Sequence, residues 1–129
     1  MSINASLSGS LKITDNLTGS TSLSKVLANA YTGDISTYGQ TVSVGTSTYT
    51  VAIPNNLAQF VYIKNLSSTV GNTVTVSWTP TGAGFSVTVL TLDPGALIVF
   101  SEVLTSNGIT TLTLNASLAA TPVEFILCG

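Results

Sequence analysis

The chain is 129 residues long and 44% hydrophobic, and its charged residues are three lysines and five acids, with neither histidine nor arginine. Histidine is the commonest general acid or base, and arginine is the usual two-point partner of phosphates and carboxylates, so the composition argues against an enzyme. Three isolated lysines cannot neutralise a row of phosphates, and no apolar run reaches the roughly 18 residues of a membrane helix. Nucleic-acid binding and insertion of a helix into a membrane are therefore excluded as main functions.

The length predicts one domain spanning residues 1–129, because single domains usually contain roughly 100–200 residues. The one cysteine, Cys128, cannot form an internal disulfide or a metal site, and we interpret it as a small apolar residue of the last strand. Residues 1–5 lack the basic and apolar regions of a secretory signal, so synthesis and folding in the cytoplasm are expected if Met1 is the native first residue.

The N-terminal third has the weakest pattern. Residues 7–14 suit a strand with Leu11 and Ile13 on one face. Residues 23–30 suit a strand or one to two helical turns, because their apolar spacing fits both, and the strand-rich context favours a strand. Residues 1–40 are therefore predicted to form extra strands or an N-terminal arm.

From residue 40 onwards, apolar and hydroxyl residues alternate with a period of two, which predicts half-buried strands. Gly45, Thr46 and Ser47 lie between two such runs and predict a short hairpin. Turn residues recur about every 8–12 positions, which favours one all-β, jelly-roll-like sandwich of about eight to ten strands. Its core face is predicted to contain the apolar members of the alternating runs: Val51, Ile53, Val74, Val76, Trp78, Val87, Val89, Leu112, Leu114, Phe125 and Leu127.

Two runs, residues 60–63 and 96–100, are apolar at every position. A strand of a sandwich normally shows one face to water, so the second apolar face needs a cover. That cover is either the N-terminal segment of the same chain or another subunit. Scarce charge favours another subunit, so a homo-oligomer, with a trimer as the first choice, is predicted. Its candidate interface residues are Phe60, Tyr62, Ile98 and Phe100.

Few residues could carry chemistry. Ser24 and Lys25 are adjacent, but neighbouring strand residues point to opposite faces, so they do not form a catalytic pair. Asp34, Asp93 and Glu102 lie in or beside predicted turns, where a solvated charge is the simpler interpretation. There is no His or Cys cluster, calcium-loop spacing or phosphate loop. The sequence therefore predicts no enzymatic activity, no cofactor, no metal, and no catalytic residue.

Aromatic residues suggest an alternative function. Trp78 shares the face of Val74 and Val76 and is interpreted as core, whereas Tyr31 and Tyr38 flank a predicted loop and could form an exposed platform for sugars. The alternative is therefore a binding module for carbohydrate or a receptor.

One stretch resembles a known group of proteins. Residues 60–66 (FVYIKNL) are followed by an alternating Val/Thr strand, by residues 92–95 (LDPG), and by a final strand at residues 123–127 (VEFIL). This order is similar to that of small β-sandwich virion proteins of tailed bacteriophages, such as capsid decoration and head-fibre proteins. The resemblance covers roughly residues 40–129. It implies a jelly-roll-like structural protein of the virion that forms homo-oligomers and binds a capsid protein.

Overall fold

The computed structural model describes residues 3–14, 21–33, 37–53, 57–81, 88–101 and 107–128, with side chains from residue 39 onwards except residue 101. All regular secondary structure in this part of the chain is β. The strands are β1 Ile3–Thr14, β2 Thr21–Gly33, β3 Thr37–Val44, β4 Tyr49–Val51, β5 Phe60–Asn65, β6 Val74–Thr81, β7 Val89–Leu92, β8 Leu97–Ser101, β9 Gly108–Ala116 and β10 Thr121–Cys128.

Eight of these strands form two four-stranded antiparallel sheets, one ordered β3-β10-β5-β8 and the other ordered β4-β9-β6-β7. Most strands that follow one another in the chain lie in opposite sheets, so the connections cross repeatedly from one sheet to the other. Two such four-stranded sheets with these crossings make up a jelly roll. The predicted all-β, jelly-roll-like sandwich is confirmed.

The core lies between the two sheets and consists of the inward-facing apolar residues of both. Its fully buried members include Val76, Leu114 and Phe125, and Trp78 is 7% exposed. The rings of Trp78 and Phe100 pack at a centroid distance of 6.1 Å, tilted by 36°. The alternation of apolar residues was therefore a sound guide to most of the core.

One predicted core residue is wrong. Val89 is 55% exposed, because β7 pairs it with Ser77 on the outside of the sheet. The same register places Leu90 and Leu92 opposite Val76 and Val74, so β7 contributes its even-numbered residues to the core. Among the other predicted core residues, Ile53 is partly buried against the core, and Val87 lies outside the described residues.

The predicted hairpin around Gly45 is also wrong. The strands on either side belong to different sheets, since β3 pairs with β10 and β4 pairs with β9. Hydrogen bonds to β9 hold the connection: the Ala116 N–H donates to the Gly45 carbonyl at 2.9 Å, and Asn115 Nδ2 donates to the Thr46 carbonyl at 2.9 Å. A short glycine-containing link therefore crosses between sheets here.

The N-terminal strands stand apart from the sandwich ladders. β1 and β2 pair in antiparallel register from Ile3 opposite Gly33 to Ile13 opposite Leu23, and they form a two-stranded sheet of their own. The strand interpretation of residues 23–30 is thus confirmed over the helical alternative, because β2 spans Thr21–Gly33.

A buried polar network closes one end of the sandwich. The Asn65 side chain, fully buried, donates from Nδ2 to the carbonyls of Asn72 (2.9 Å) and Leu92 (3.1 Å), and its Oδ1 accepts from the Ser67 N–H at 3.0 Å. Asn72 in turn donates to the Ser67 hydroxyl and accepts from the Thr121 hydroxyl. These bonds connect loops from both sheets, and a network with its groups paired rigidifies the region it joins.

Gly108 starts β9 at a position where only glycine fits. Its φ is +156°, and an added Cβ would meet the Ala58 carbonyl oxygen well inside van der Waals contact. The close approach exists because Ala58 and Ile109 exchange two backbone hydrogen bonds, of 2.8 and 2.9 Å. Glycine therefore allows the segment before β5 to pair with the start of β9.

Candidate functional site

The outer side of the β3-β10-β5-β8 sheet exposes several apolar residues. Ile126, Tyr62 and Val99 lie side by side on three neighbouring strands, and Leu97 lies further along the edge strand β8. We call Tyr62, Leu97, Val99 and Ile126 the apolar outer face. Strands in a sheet lie about 4.8 Å apart, so these residues form one continuous patch.

Exposure differs across this patch. Leu97 is 52% exposed and Ile126 is 38% exposed, whereas Tyr62 and Val99 are half-buried. Tyr62 and Val99 pack against a second buried cluster outside the main core, formed by Phe60 and Cys128. The exposed area of the patch is therefore contributed mainly by Leu97 and Ile126.

The structure separates the four residues predicted as an interface. Phe60 and Tyr62 lie on the outer side of β5, where Phe60 is 7% exposed and already covered. Ile98 and Phe100 lie on the opposite side of β8, partly buried against the main core. Only Tyr62 of the four therefore contributes accessible area to the outer side of the sheet.

Sequence reasoning missed Leu97 and Ile126, although a signal was present. Phe125 and Leu127 were assigned to the core, and strict alternation then places Ile126 outside. Likewise, Ile98 inside the sandwich requires Leu97 outside. The signal for such a patch is an apolar residue at a strand position whose two sequence neighbours both face the core.

Two charged residues border the apolar outer face. Lys64 on β5 lies opposite Glu124 on β10, so charges of opposite sign neighbour each other across the strands. Desolvation by burial raises the pKa of Tyr62 above its ordinary value, and a hydrogen bond to the Glu124 carboxylate and the charge of that carboxylate raise it further. The phenol therefore stays protonated and donates to Glu124 over the neutral pH range.

A shallow depression of about 430 Å³ lies beside the patch, lined by Gly39, Gln40, Thr41, Glu124, Phe125 and Ile126. Gly39 is exposed, and a Cβ there would come within 3.3 Å of Ile126 Cγ1. The missing side chain leaves one flank of Ile126 open. The depression extends the apolar outer face towards the edge strand β3.

The outer side of the other sheet has a different chemistry. Thr50, Thr113, Ser77 and Val89 lie in one row across its four strands. In the next row, the Thr111 hydroxyl donates to the Thr79 hydroxyl at 2.6 Å. Apart from Val89, which is 55% exposed, this surface is neutral and rich in hydroxyl groups, so it offers mainly hydrogen bonds.

The described residues offer little to catalysis or metal binding. They contain no group of three or more His, Cys, Asp or Glu residues placed to hold a metal ion. Cys128 is 1% exposed, and Trp78 is buried in the core rather than exposed as a sugar platform. Tyr31 lies in β2 and Tyr38 lies in β3, on either side of residues 34–36, and the side chains of both tyrosines lie outside the described part. No helix with the length and hydropathy needed to cross a membrane occurs in the described ranges.

Comparison of the chain with protein-family models, with curated proteins and with solved structures found no match. The assignment of the fold therefore depends on strand order and register alone. The functional argument depends on the two outer surfaces and on the composition of the chain.

Proposed function

We propose that this chain is a structural protein of a bacteriophage virion, a capsid decoration or minor capsid protein that self-assembles and binds a capsid protein. The observation that carries the proposal is the apolar outer face, where Leu97 and Ile126 expose 52% and 38% of their surface on a chain with very few charges. Depletion of charge and exposure of contiguous apolar residues distinguish the cores of protein interfaces from ordinary surface.

The fold is compatible with this role without requiring it. Jelly rolls occur in viral capsid domains and also in lectins and cupins. Since one fold supports unrelated functions, the choice between them must come from the surfaces. An apolar patch on the outer side of one sheet and a neutral, hydroxyl-rich surface on the outer side of the other favour contact with protein over contact with anionic ligands, because the charge needed to bind anions is missing.

The proposal includes the absence of enzymatic activity. Its support is the composition: without histidine or arginine, activation of a hydroxyl nucleophile would need a lysine or carboxylate beside it. The described carboxylate on the candidate surface, Glu124, accepts a hydrogen bond from Tyr62 and neighbours Lys64, which makes it part of the face rather than a free base.

The proposal is tested first by location. Phage particles purified from the source culture by density-gradient banding are analysed by mass spectrometry, and antibodies raised against this chain are used for gold labelling in electron microscopy. We expect the chain to copurify with intact particles and the gold to decorate the shell. Absence of the chain from banded particles would exclude a virion role.

The second test concerns the surface that binds. Leu97→Ser with Ile126→Ser removes exposed apolar area from the apolar outer face, and Val89→Ser with Val70→Ser removes it elsewhere, since Val89 and Val70 are 55% and 95% exposed. Substitutions at exposed positions cost little stability, so both double variants should fold. We expect only the first to lose binding to particles stripped of the native chain, and equal binding by both would contradict the proposed surface.

The alternative function, a receptor- or carbohydrate-binding module of a phage fibre or appendage, has one structural feature in its favour. The β4-β9-β6-β7 sheet presents hydroxyl groups of Thr50, Thr113 and Ser77 in one row, and such groups can hydrogen-bond to sugars. Burial of Trp78 removes the aromatic platform that would strengthen this function. Binding to a glycan array, abolished by Thr113→Val, would support the alternative.

A further inference from the structure

Strand β8 forms one edge of the β3-β10-β5-β8 sheet, and one row of its backbone groups has no partner strand among the described residues. The Asn65 N–H donates to the Ala96 carbonyl at 3.0 Å, so the even-numbered residues that follow on β8 form the hydrogen-bonded pairs with β5. In an antiparallel pair, the residues between them direct their N–H and C=O groups away from that neighbour. Leu97 and Val99 therefore present backbone donors and acceptors along what we call the free edge of β8.

The free edge of β8 lacks the features that often keep an edge strand from pairing. Natural edges are blunted by charged residues, by proline or by a very short strand. Strand β8 spans five residues, Leu97–Ser101, and contains neither a charged residue nor proline. The edge strands of the other sheet, β4 and β7, have three and four residues, and edge strand β3 is polar on its outer side at Thr41 and Ser43. Among these four edges, β8 is therefore the best suited to accept another strand.

The core is also less completely covered along this edge. Ile98 and Phe100 are partly buried, whereas their register partners on β5, Ile63 and Val61, are 1% and 0% exposed. The ring of Phe100 packs 6.1 Å from that of Trp78, whose Nε1–H is buried without a hydrogen-bond partner in the described part of the chain. A buried donor that has no acceptor is costly. A further strand beside β8 would cover Ile98 and Phe100 and would bring an acceptor towards Trp78.

The shape and the area of this edge decide what can occupy it. A row of backbone groups that repeats every two residues is matched by the backbone of an extended chain. Five residues at about 3.3 Å each make the edge roughly 17 Å long, and a strip about 10 Å wide covers about 170 Å² on each partner. A specific interface between two folded proteins needs about 800 Å² on each side, which disfavours a second copy of this chain paired edge to edge. A flexible segment instead gains affinity from main-chain hydrogen bonds and from pockets for alternate side chains.

We propose that the free edge of β8 binds an extended segment of the capsid protein, which adds to the sheet as a fifth strand. The inference rests on the attachment to a capsid protein included in the proposed function, and it adds the conformation and chemistry of the segment that is bound. The inward side chains of the segment are apolar where they cover Ile98 and carry an oxygen beside Phe100, where the Trp78 N–H needs an acceptor. Its outward side chains extend the apolar outer face beyond Leu97.

Proline at the free edge tests the proposal with the full chain. Val99→Pro removes an N–H of the free edge and leaves the hydrogen bonds to β5 in place, because proline is tolerated in edge strands where the N–H faces solvent. Val99→Thr keeps that N–H and the branched shape, so it is the matched control. Binding to phage particles stripped of the native chain is measured, and emission of the buried Trp78 shows that each variant is folded. We expect Val99→Pro to weaken binding at least about tenfold and Val99→Thr to change it less than about threefold.

The outcomes separate this proposal from the attachment on which it rests. Equal binding by the two Val99 variants overturns the strand addition and leaves attachment to the capsid protein standing. A wild type that does not bind the particles overturns the attachment itself. Self-association of the wild type that Val99→Pro abolishes would assign the free edge to a second copy of the chain and would also overturn the proposal.

Hydrogen exchange of the wild type decides the question if Val99→Pro unfolds. In the free chain, the amides of Leu97 and Val99 should exchange at least about tenfold faster than those of Ile98 and Phe100, which bond to β5. Overlapping synthetic peptides that tile the capsid protein of the same particles are then added. We expect one of them to slow exchange at Leu97 and Val99 and to shift the indole N–H resonance of Trp78. Protection of Leu97 and Val99 in the free chain, or a set of peptides that protects neither, overturns the proposal.

Discussion

Replacement of Asn65 by alanine should be one of the most destabilising single changes in the sandwich. The side chain is fully buried and makes three hydrogen bonds of 2.9–3.1 Å, two as donor and one as acceptor. Each hydrogen bond lost from a buried group costs about 1–3 kcal/mol when its partner stays buried. Three such losses, partly relieved by local rearrangement, give about 3–5 kcal/mol, a large share of the roughly 5–15 kcal/mol that stabilises a typical domain.

Guanidinium denaturation measures this loss, with the emission of Trp78, which is 7% exposed, as the reporter of the core. Asn115→Ala is the matched control, because Asn115 makes one exposed hydrogen bond, to the Thr46 carbonyl at 2.9 Å. We expect the control to cost under about 1 kcal/mol. Equal losses at the two asparagines would refute the reasoning that burial of the network makes Asn65 important.

Asn65→Asp separates hydrogen bonding from volume. The carboxyl group nearly matches the amide in size and keeps the oxygen that accepts from the Ser67 N–H, but it lacks the two N–H donors. Burial of an unpaired carboxylate is costly, so at neutral pH the aspartate variant should be at least as unstable as the alanine variant. Near-wild-type stability of Asn65→Asp would show that the side chain acts by filling space.

Three further changes test other parts of the structure. Gly108→Ala should lower the free energy of unfolding by at least about 2 kcal/mol, because the added Cβ meets the backbone of Ala58. Gly45→Ala is the control and should cost under about 1 kcal/mol, because a Cβ there has one neighbouring atom, at 4.0 Å. Equal costs would contradict the close approach at Gly108. Because the pKa of Tyr62 is raised, its contribution to stability should be constant below the unfolded tyrosine pKa of about 10 and should fall as pH rises above it. Glu124→Gln should move the titration of Tyr62, followed by ultraviolet absorbance, to lower pH. Trp78→Ala should cost about 3–5 kcal/mol, measured by thermal and chemical denaturation followed by circular dichroism, and wild-type stability in that variant would contradict its burial.

Alternation in the sequence was enough to predict the fold class and most of the core. Residues such as Val76 and Leu114 stand between hydroxyl residues, so the period of two marks their face without knowledge of the strand partner. The pattern failed at Val89, because β7 pairs with β6 in the register that places Val89 opposite Ser77 and Leu90 opposite Val76. The phase of a strand is decided by its neighbours in the sheet, and those are not local in sequence.

The partners of each strand could not be predicted from the sequence for the same reason. The link at Gly45 has the length and composition of a hairpin. It crosses between sheets because β3 pairs with β10 and β4 pairs with β9, and these pairings are not visible in the local sequence. The candidate surface depended on this same information. Leu97 and Ile126 become neighbours of Tyr62 only when β8 and β10 flank β5.

The two sequence motifs behind the resemblance to phage virion proteins meet in space. Asn65 of the first motif donates to the Leu92 carbonyl of the second at 3.1 Å, and the Gly95 N–H donates to the Asn65 carbonyl at 2.9 Å. The pair therefore has a packing role that any sandwich with this loop arrangement could use. Since the motifs serve the fold, they do not select among functions, and the evidence for assembly and attachment must come from residues that the fold does not need. Leu97 and Ile126, exposed on strands whose other faces already fill the core, are such residues.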